Sequence, residues 1–133
     1  MAIILDADVV IAGEKGQFDL QRWLMSHATE QFEIAAITVA ELWHGVERAT
    51  GTRRSRRQRY LSAILSLLPV IPYTEQTAYE HARIWAEAEE QGKMIGAYDL
   101  ILAAIALERG NRLATFNKRH FSQIAGLTIL TPV

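Results

Sequence analysis

A three-layer α/β/α sandwich around a mostly parallel five-stranded sheet is the fold class this sequence predicts. Three observations lead there. The first strand candidate, Ala2 to Leu5 (AIIL), is apolar throughout with no alternation, as in a strand covered on both faces. Short runs of that kind alternate along the chain with longer segments of helical period. The 133 residues are 50% hydrophobic, enough to bury one continuous core. There is no linker and no repeat, so a single domain over residues 1–133 is expected.

After the first strand, Gly13 and Gly16 mark a loop, and Asp19 to His27 makes a short helix with Leu20, Trp23 and Leu24 on one face. Phe32 to Ala36 reads as the second strand. Thr38-Val39-Ala40-Glu41 has the capping-box pattern and opens a helix through about Arg48. A longer helix runs from Thr52 to Leu68, and Pro69 and Pro72 bracket a third strand at Val70 and Ile71. Thr74 to Gln91 has helical periodicity through Ala78, His81, Ala82 and Trp85, closing at Gly92. Tyr98 to Arg109 is apolar nearly all round, which predicts a central buried helix with Gly110 at its C′ position. Arg112 to Thr115 and Thr128 to Leu130 are the last two strands. Trp23, Trp43 and Trp85, at helical spacing, read as core rather than as platforms for bases.

Composition excludes several classes. The chain has no cysteine, so disulfides and thiolate metal sites are ruled out. The longest apolar runs, such as Leu100 to Leu107, fall short of the ~20 residues a membrane helix needs. Met1 to Ala12 is apolar but acidic and lacks a basic n-region, unlike a secretory signal. A cytoplasmic globular domain without membrane attachment is the expectation. The net charge of −1 is uninformative, but its distribution is not. Six of the fourteen Lys and Arg residues lie between Arg48 and Arg59, a block that is either a footprint for polyanions or a solvated helix face.

A few carboxylates carry the functional signal. Asp6 and Asp8 directly follow the first strand, at the carboxyl end where open parallel sheets bind ligands. Glu41, on the helix after the second strand, and Asn117, after the fourth, fall on the same edge. Asp99, behind Gly96, joins them if the buried helix starts there. Each has a plain structural role: Asp6 as an N-cap, Glu41 as the acid of the capping box, Asp99 through the helix macrodipole. Those roles do not explain convergence. Three acids gathered beside an apolar helix repel one another and resist ionising. A divalent cation removes the conflict, and oxygen ligands without Cys or a His pair favour Mg²⁺ or Mn²⁺ over zinc.

The segments ILDADVVI, ITVAELWHGVERA, IGAYDLILAAIALERG and LATFNKRHF resemble, in order and spacing, the four characteristic blocks of PIN-domain ribonucleases. More narrowly, they resemble the toxins of bacterial VapBC toxin–antitoxin pairs, over nearly the whole chain. The resemblance implies a sheet of order 3-2-1-4-5, and a metal site formed by Asp6, Glu41 and Asp99 with Asn117 as the fourth member. It also implies a VapB-like antitoxin, a homodimer, and transfer or ribosomal RNA as substrate. Two positions depart from the family's usual pattern: Asp8, where Asn or Ser is common, and Asn117, an amide with His120 nearby where some relatives carry Glu. An amide coordinates a cation more weakly than a carboxylate, which weakens the second metal position that the resemblance implies and leaves the first, between Asp6 and Asp99.

The implied chemistry is metal-assisted hydrolysis of a phosphodiester. Asp6 and Asp99 hold the ion, Glu41 orients a water and takes its proton, and Asp8 and Asn117 hold outer waters. Thr115 supplies a hydroxyl behind the ligands. Arg53, Arg54, Arg56 and Arg57 meet RNA phosphates or an acidic antitoxin. His44, three residues after Glu41, and His120 have no assigned part, and His27 and His81 carry no signal. Two alternatives stand beside this. Ile4-Leu5-Asp6-Ala7-Asp8-Val9 fits the opening of haloacid-dehalogenase-like phosphatases with Asp6 as nucleophile, although that reaction needs a late acidic pair. A catalytically silent PIN-fold binding domain is the other, although Asp6, Glu41 and Asp99 are all retained.

Overall fold

The computed structural model describes all 133 residues. β1 (Ile3–Leu5), β2 (Phe32–Ala35), β3 (Val70–Ile71), β4 (Arg112–Ala114) and β5 (Ile129–Leu130) form one sheet of order β3-β2-β1-β4-β5. Every pairing is parallel, with Ile3 beside Phe32 on one side and beside Arg112 on the other. β1 is therefore the central strand, which explains its unbroken apolar run. Its residues divide by the period of two: Ile3 and Leu5 join one core cluster and Ile4 the other. Ile34 and Ala35 divide in the same way, as do Ala114 and Leu113.

One face is covered by α1 (Ala7–Glu14), α2 (Leu20–Ser26), α3 (Ala36–Arg48) and α4 (Gly51–Leu65), through Val9, Val10, Trp23, Leu42, Val46 and Leu61. The other is covered by α5 (Glu75–Glu90), α6 (Ala97–Arg109) and the short α7 (Lys118–Phe121). α6 packs Leu100 and Leu102 to Ala106 into that core and ends on Gly110, whose φ of 67° is the left-handed C-cap predicted from its position. α5 is closed at its start by a reciprocal pair of bonds between Thr74 and Thr77. No helix is long and apolar enough to cross a membrane.

Four local expectations change. Gly13 lies inside α1 rather than in a loop. A Cβ there would come within 2.6 Å of the Tyr60 hydroxyl and 2.9 Å of the Leu20 Cβ, so this glycine serves close packing of α1 on α2 and α4. The loop begins after Glu14, with Gly16 at φ 72°. α7 was not foreseen, being only four residues long. Trp85 is 52% exposed and stacks on His81, which also contacts the Tyr73 hydroxyl, whereas Trp23 is buried as expected.

The fourth change concerns Thr38 and Glu41. α3 begins at Ala36 with Ala35 as N-cap and no side-chain cap bond. Thr38 thus lies within the first turn and Glu41 in the second, beyond reach of the cap, so the capping box does not form. The Thr38 hydroxyl is fully buried with no hydrogen-bond partner, a costly state for a polar group. Thr38→Val, which replaces that hydroxyl by a methyl of similar size, is expected to leave stability unchanged or raise it by about 1 kcal/mol in urea denaturation. A loss of about 1 kcal/mol would restore the capping role.

Candidate metal-dependent nuclease site

The pairing of β1 with β4 builds the centre of the site. The ladder continues one step beyond the strands, the Asp6 N–H donating to Ala114 O at 2.9 Å, which lays Asp6 beside Thr115. The Thr115 hydroxyl, fully buried, donates to Asp6 Oδ2 at 2.8 Å and lies 3.3 Å from Asp8 Oδ2. It also accepts the Asn117 N–H at 3.0 Å. A hydroxyl has one proton, so Asp6 and Asp8 compete for it. Asp8 Oδ2 gains the Phe116 N–H at 3.1 Å, while its Oδ1 is buried without any partner.

Asp6 is both the residue before α1 and part of this knot. Its Oδ1 accepts the Ala7 N–H at 2.7 Å, the first amide of the helix. An ordinary N-cap serves the second or third amide instead. The carboxylate is thus held with its other oxygen turned to Thr115, and the residue is 8% exposed. Burial, then the charge of Asp8, push its pKa up to about 7, with Asp99 adding to the rise and the two hydrogen bonds opposing it. Burial raises Asp8 against the opposing Phe116 and Thr115 bonds. It also raises Glu41, with the charge of Asp99 adding to it.

Asp99 is the common neighbour, because Asp6, Asp8 and Glu41 all respond to its charge. It stands in the first turn of α6, as its position after Gly96 implied. Burial raises its own pKa, and His120 acts in the other direction. His120 Nε2 lies 3.1 Å from Asp99 Oδ2, close enough for an ion pair but without the alignment of a hydrogen bond. His120 is therefore a member of the site that residue spacing alone left unassigned. The signal for it was its place three residues after Asn117, on the same edge, which α7 makes into one turn. Asn117 itself is exposed, precedes α7 without a side-chain cap bond, and reaches the knot through its backbone.

The acids share one edge without closing into a cage: no three His, Asp or Glu side chains stand close enough to hold one ion between them. Mg²⁺ asks for less, because it retains waters and is commonly held by one or two carboxylates with substrate phosphate. Asp6 and Asp99 fit that donor set, and the partnerless Asp8 Oδ1 is an acceptor left for an outer water.

The arginines divide into two groups. Arg57 is 3.0 Å from Glu14 and also donates to Gly45 O, clamping α4 to α1 and α3, and Arg54 is 3.3 Å from Glu47. Arg48, Arg53, Arg56 and Arg59 have no acidic partner. Arg53 to Arg57 load the N-terminal half of α4, and no acid stands in its first turn, the reverse of what the helix macrodipole favours.

Ionisation of Asp6 costs the folded chain stability, because its pKa is 3.8 when free and about 7 when folded. Below pH about 4 both states are protonated and the cost vanishes; it grows as pH rises and is complete above about 7. With EDTA present, Asp6→Asn is therefore expected to be more stable than the parent by about 2 kcal/mol at pH about 8, and equal to it near pH 4. Urea denaturation at the two pH values checks this. A variant less stable than the parent at the higher pH would make capping the main role of Asp6.

The PIN domain family matches residues 3–127. Ribonuclease VapC1 of Rickettsia felis is 32% identical over 98% of this chain and 96% of its own length. The tRNA(fMet)-specific endonuclease VapC of Salmonella typhimurium is 30% identical over 97% of this chain and 96% of its own. Among solved structures, VapBC2 from Rickettsia felis bound to a promoter DNA fragment superposes with a TM-score of 0.91, at 25% identity and 98% coverage of both chains. DNA-bound VapBC from Salmonella typhimurium superposes at 0.89, with 27% identity and 98% and 97% coverage. The sheet order, the four sequence blocks and these matches agree: this chain belongs to the PIN-domain family.

Proposed function

We propose that this chain, acting as one domain over residues 1–133, is a divalent-metal-dependent endoribonuclease toxin of the VapC type. It cleaves cellular RNA, transfer or ribosomal, and a cognate VapB-like antitoxin neutralises it. The observation that carries this is the edge where Asp6, Asp8, Glu41 and Asp99 lie within reach of one another's charge and resist ionising without a cation. Relatives named as ribonucleases and as a tRNA-specific endonuclease support the substrate class. The solved VapBC assemblies support a protein partner, and a homodimer follows from the family resemblance. The phosphatase reading lacks its second acidic motif, Glu108 being the only acid after Asp99.

Asp6 and Asp99 would hold Mg²⁺ or Mn²⁺, which when bound polarises a phosphoryl oxygen and lowers the pKa of water. Thr115 orients Asp6 and limits its rotation. Glu41, its basicity raised by burial, takes a proton from the attacking water as its oxygen bonds to phosphorus and the leaving oxygen departs. Asp8 and Asn117 order water around the acids. Arg53 and Arg56, with unpaired guanidinium groups, contact phosphates, and Arg54 and Arg57 add the field that their acidic partners leave. An antitoxin that places a basic side chain near Asp6 and Asp99 would compete with the ion for the same charge.

Purified chain, freed of any partner, is expected to cleave RNA with Mg²⁺ or Mn²⁺ and to stop in EDTA. Equal cleavage in both conditions would sink the metal mechanism. Glu41→Gln is expected to fold normally and to lose activity by about 100-fold or more. Since Glu41 caps nothing, wild-type activity in that variant would remove it from the chemistry.

A further inference from the structure

Between the later turns of α3 and the start of α4 lies a cleft of about 390 Å³, lined by Glu41, His44, Arg48, Ala49, Arg53 and Arg57. Ala49 is its one hydrophobic residue. Arg57 is already committed to Glu14. His44, Arg48 and Arg53 are exposed, and none of the three makes an ion pair. Glu41 stands on the wall of this cleft and is also coupled to Asp99, so the basic cleft adjoins the acidic edge through a shared residue.

Nothing in the fold's own energetics asks for these two arginines. Neither guanidinium is buried or paired, and Arg53 in the first turn of α4 opposes the helix dipole. Two free guanidiniums and an imidazole around a polar concavity match a phosphodiester, which accepts hydrogen bonds on two oxygens. The lining gives a peptide no apolar anchor. Anchors of that kind lie instead in a separate cleft of about 340 Å³, among Phe18, Leu20, Leu24, Tyr60, Ile64 and Leu67. We propose that His44, Arg48 and Arg53 form a phosphate subsite that holds a phosphodiester neighbouring the one cleaved, with Glu41 as the wall between subsite and acidic edge. The subsite rests on the ribonuclease reading, and it positions the strand without reading its bases.

Two measurements test it. In the first, inorganic phosphate is titrated into the wild-type chain in EDTA, and the side-chain NMR signals of Arg48, Arg53 and His44 are followed. Saturable shifts at these residues, absent from Arg22 and Arg59, are expected; no shift overturns the subsite whatever the cleavage assays show. Shifts in a protein that cleaves no RNA would instead overturn the ribonuclease reading and leave an anion site.

In the second, a single-stranded RNA is bound by the Asp99→Asn chain in EDTA at about 50 and about 200 mM salt. Adding Arg48→Gln and Arg53→Gln is expected to weaken binding about tenfold and lower the log–log salt slope by about 0.7, the value for one phosphate on a single strand. In the active chain the same pair raises KM and leaves kcat nearly unchanged. Arg22→Gln with Arg59→Gln removes the same charge elsewhere and is expected to do much less. Equal losses from both pairs would reduce the effect to net charge and overturn the subsite. So would unchanged RNA binding accompanied by lost affinity for an antitoxin, which would make the cleft a protein contact.

Discussion

The pairing of β1 with β4 is the constraint on which the rest of this structure depends. Because β1 runs parallel to both neighbours at the centre of the sheet, its carboxyl end opens on the same edge as those of β2 and β4. The bond from Asp6 N–H to Ala114 O then fixes the register one residue past the strands. A slip of one residue would exchange Ile4 with Ile3 and Leu5 between the two cores and carry Thr115 away from Asp6. Core packing and site geometry are thus secured by one register. The hydrophobic burial that fixes the strand also places a hydroxyl against a carboxylate with no adjustable element between them.

That placement sets stability against charge. Asp6 is kept in the least exposed part of the edge, where ionisation is resisted, and Asp8, Asp99 and Glu41 are each raised in turn. A fold selected for stability alone would put apolar or amide side chains here. The single Thr115 proton cannot satisfy two carboxylates, so once both are ionised the edge is left short of positive charge. His120 offsets part of this at Asp99 but sits on the outer side of the knot, on α7. The remaining deficit is local, and a divalent ion would meet it with one particle.

The fold was legible wherever burial writes a period into the sequence. β1 read as doubly covered because it is; α6 read as central because it presents apolar atoms all round; Gly92 and Gly110 ended their helices with the positive φ that such positions favour. The failures share a different cause. Thr38 and Glu41 stand at capping-box spacing, yet the chain turns helical two residues earlier, where Ile37 packs on the core of α6 immediately after β2. Gly13 looked like punctuation and is a contact, since its role depends on Tyr60, far away in sequence. Trp85 followed a helical stripe but faces solvent, because α5 buries Ile84 and Ala88 instead. The acids at the sheet edge were readable because parallel topology alone gathers strand ends. The Asp99–His120 contact was not, because it needs the short turn of α7.

The basic segment shows why residue type alone could not divide roles. Six arginines in twelve residues look like one patch from Arg48 to Arg59, and no single member is distinguished by its neighbours in sequence. The fold separates them by what lies opposite. Arg57 meets Glu14, an acid from α1 that is 43 positions away, and so becomes a clamp between helices. Arg54 meets Glu47 across the α3–α4 turn. Arg48 and Arg53 meet no acid and border Glu41 instead. An exposed pair such as Arg54 with Glu47 adds little stability, and an unpaired cation at the start of a helix adds none. Of the four arginines in this segment left without an acidic partner, Arg48 and Arg53 border the acidic edge, where a polyanionic strand would lie, and Arg56 and Arg59 stand outside that cleft.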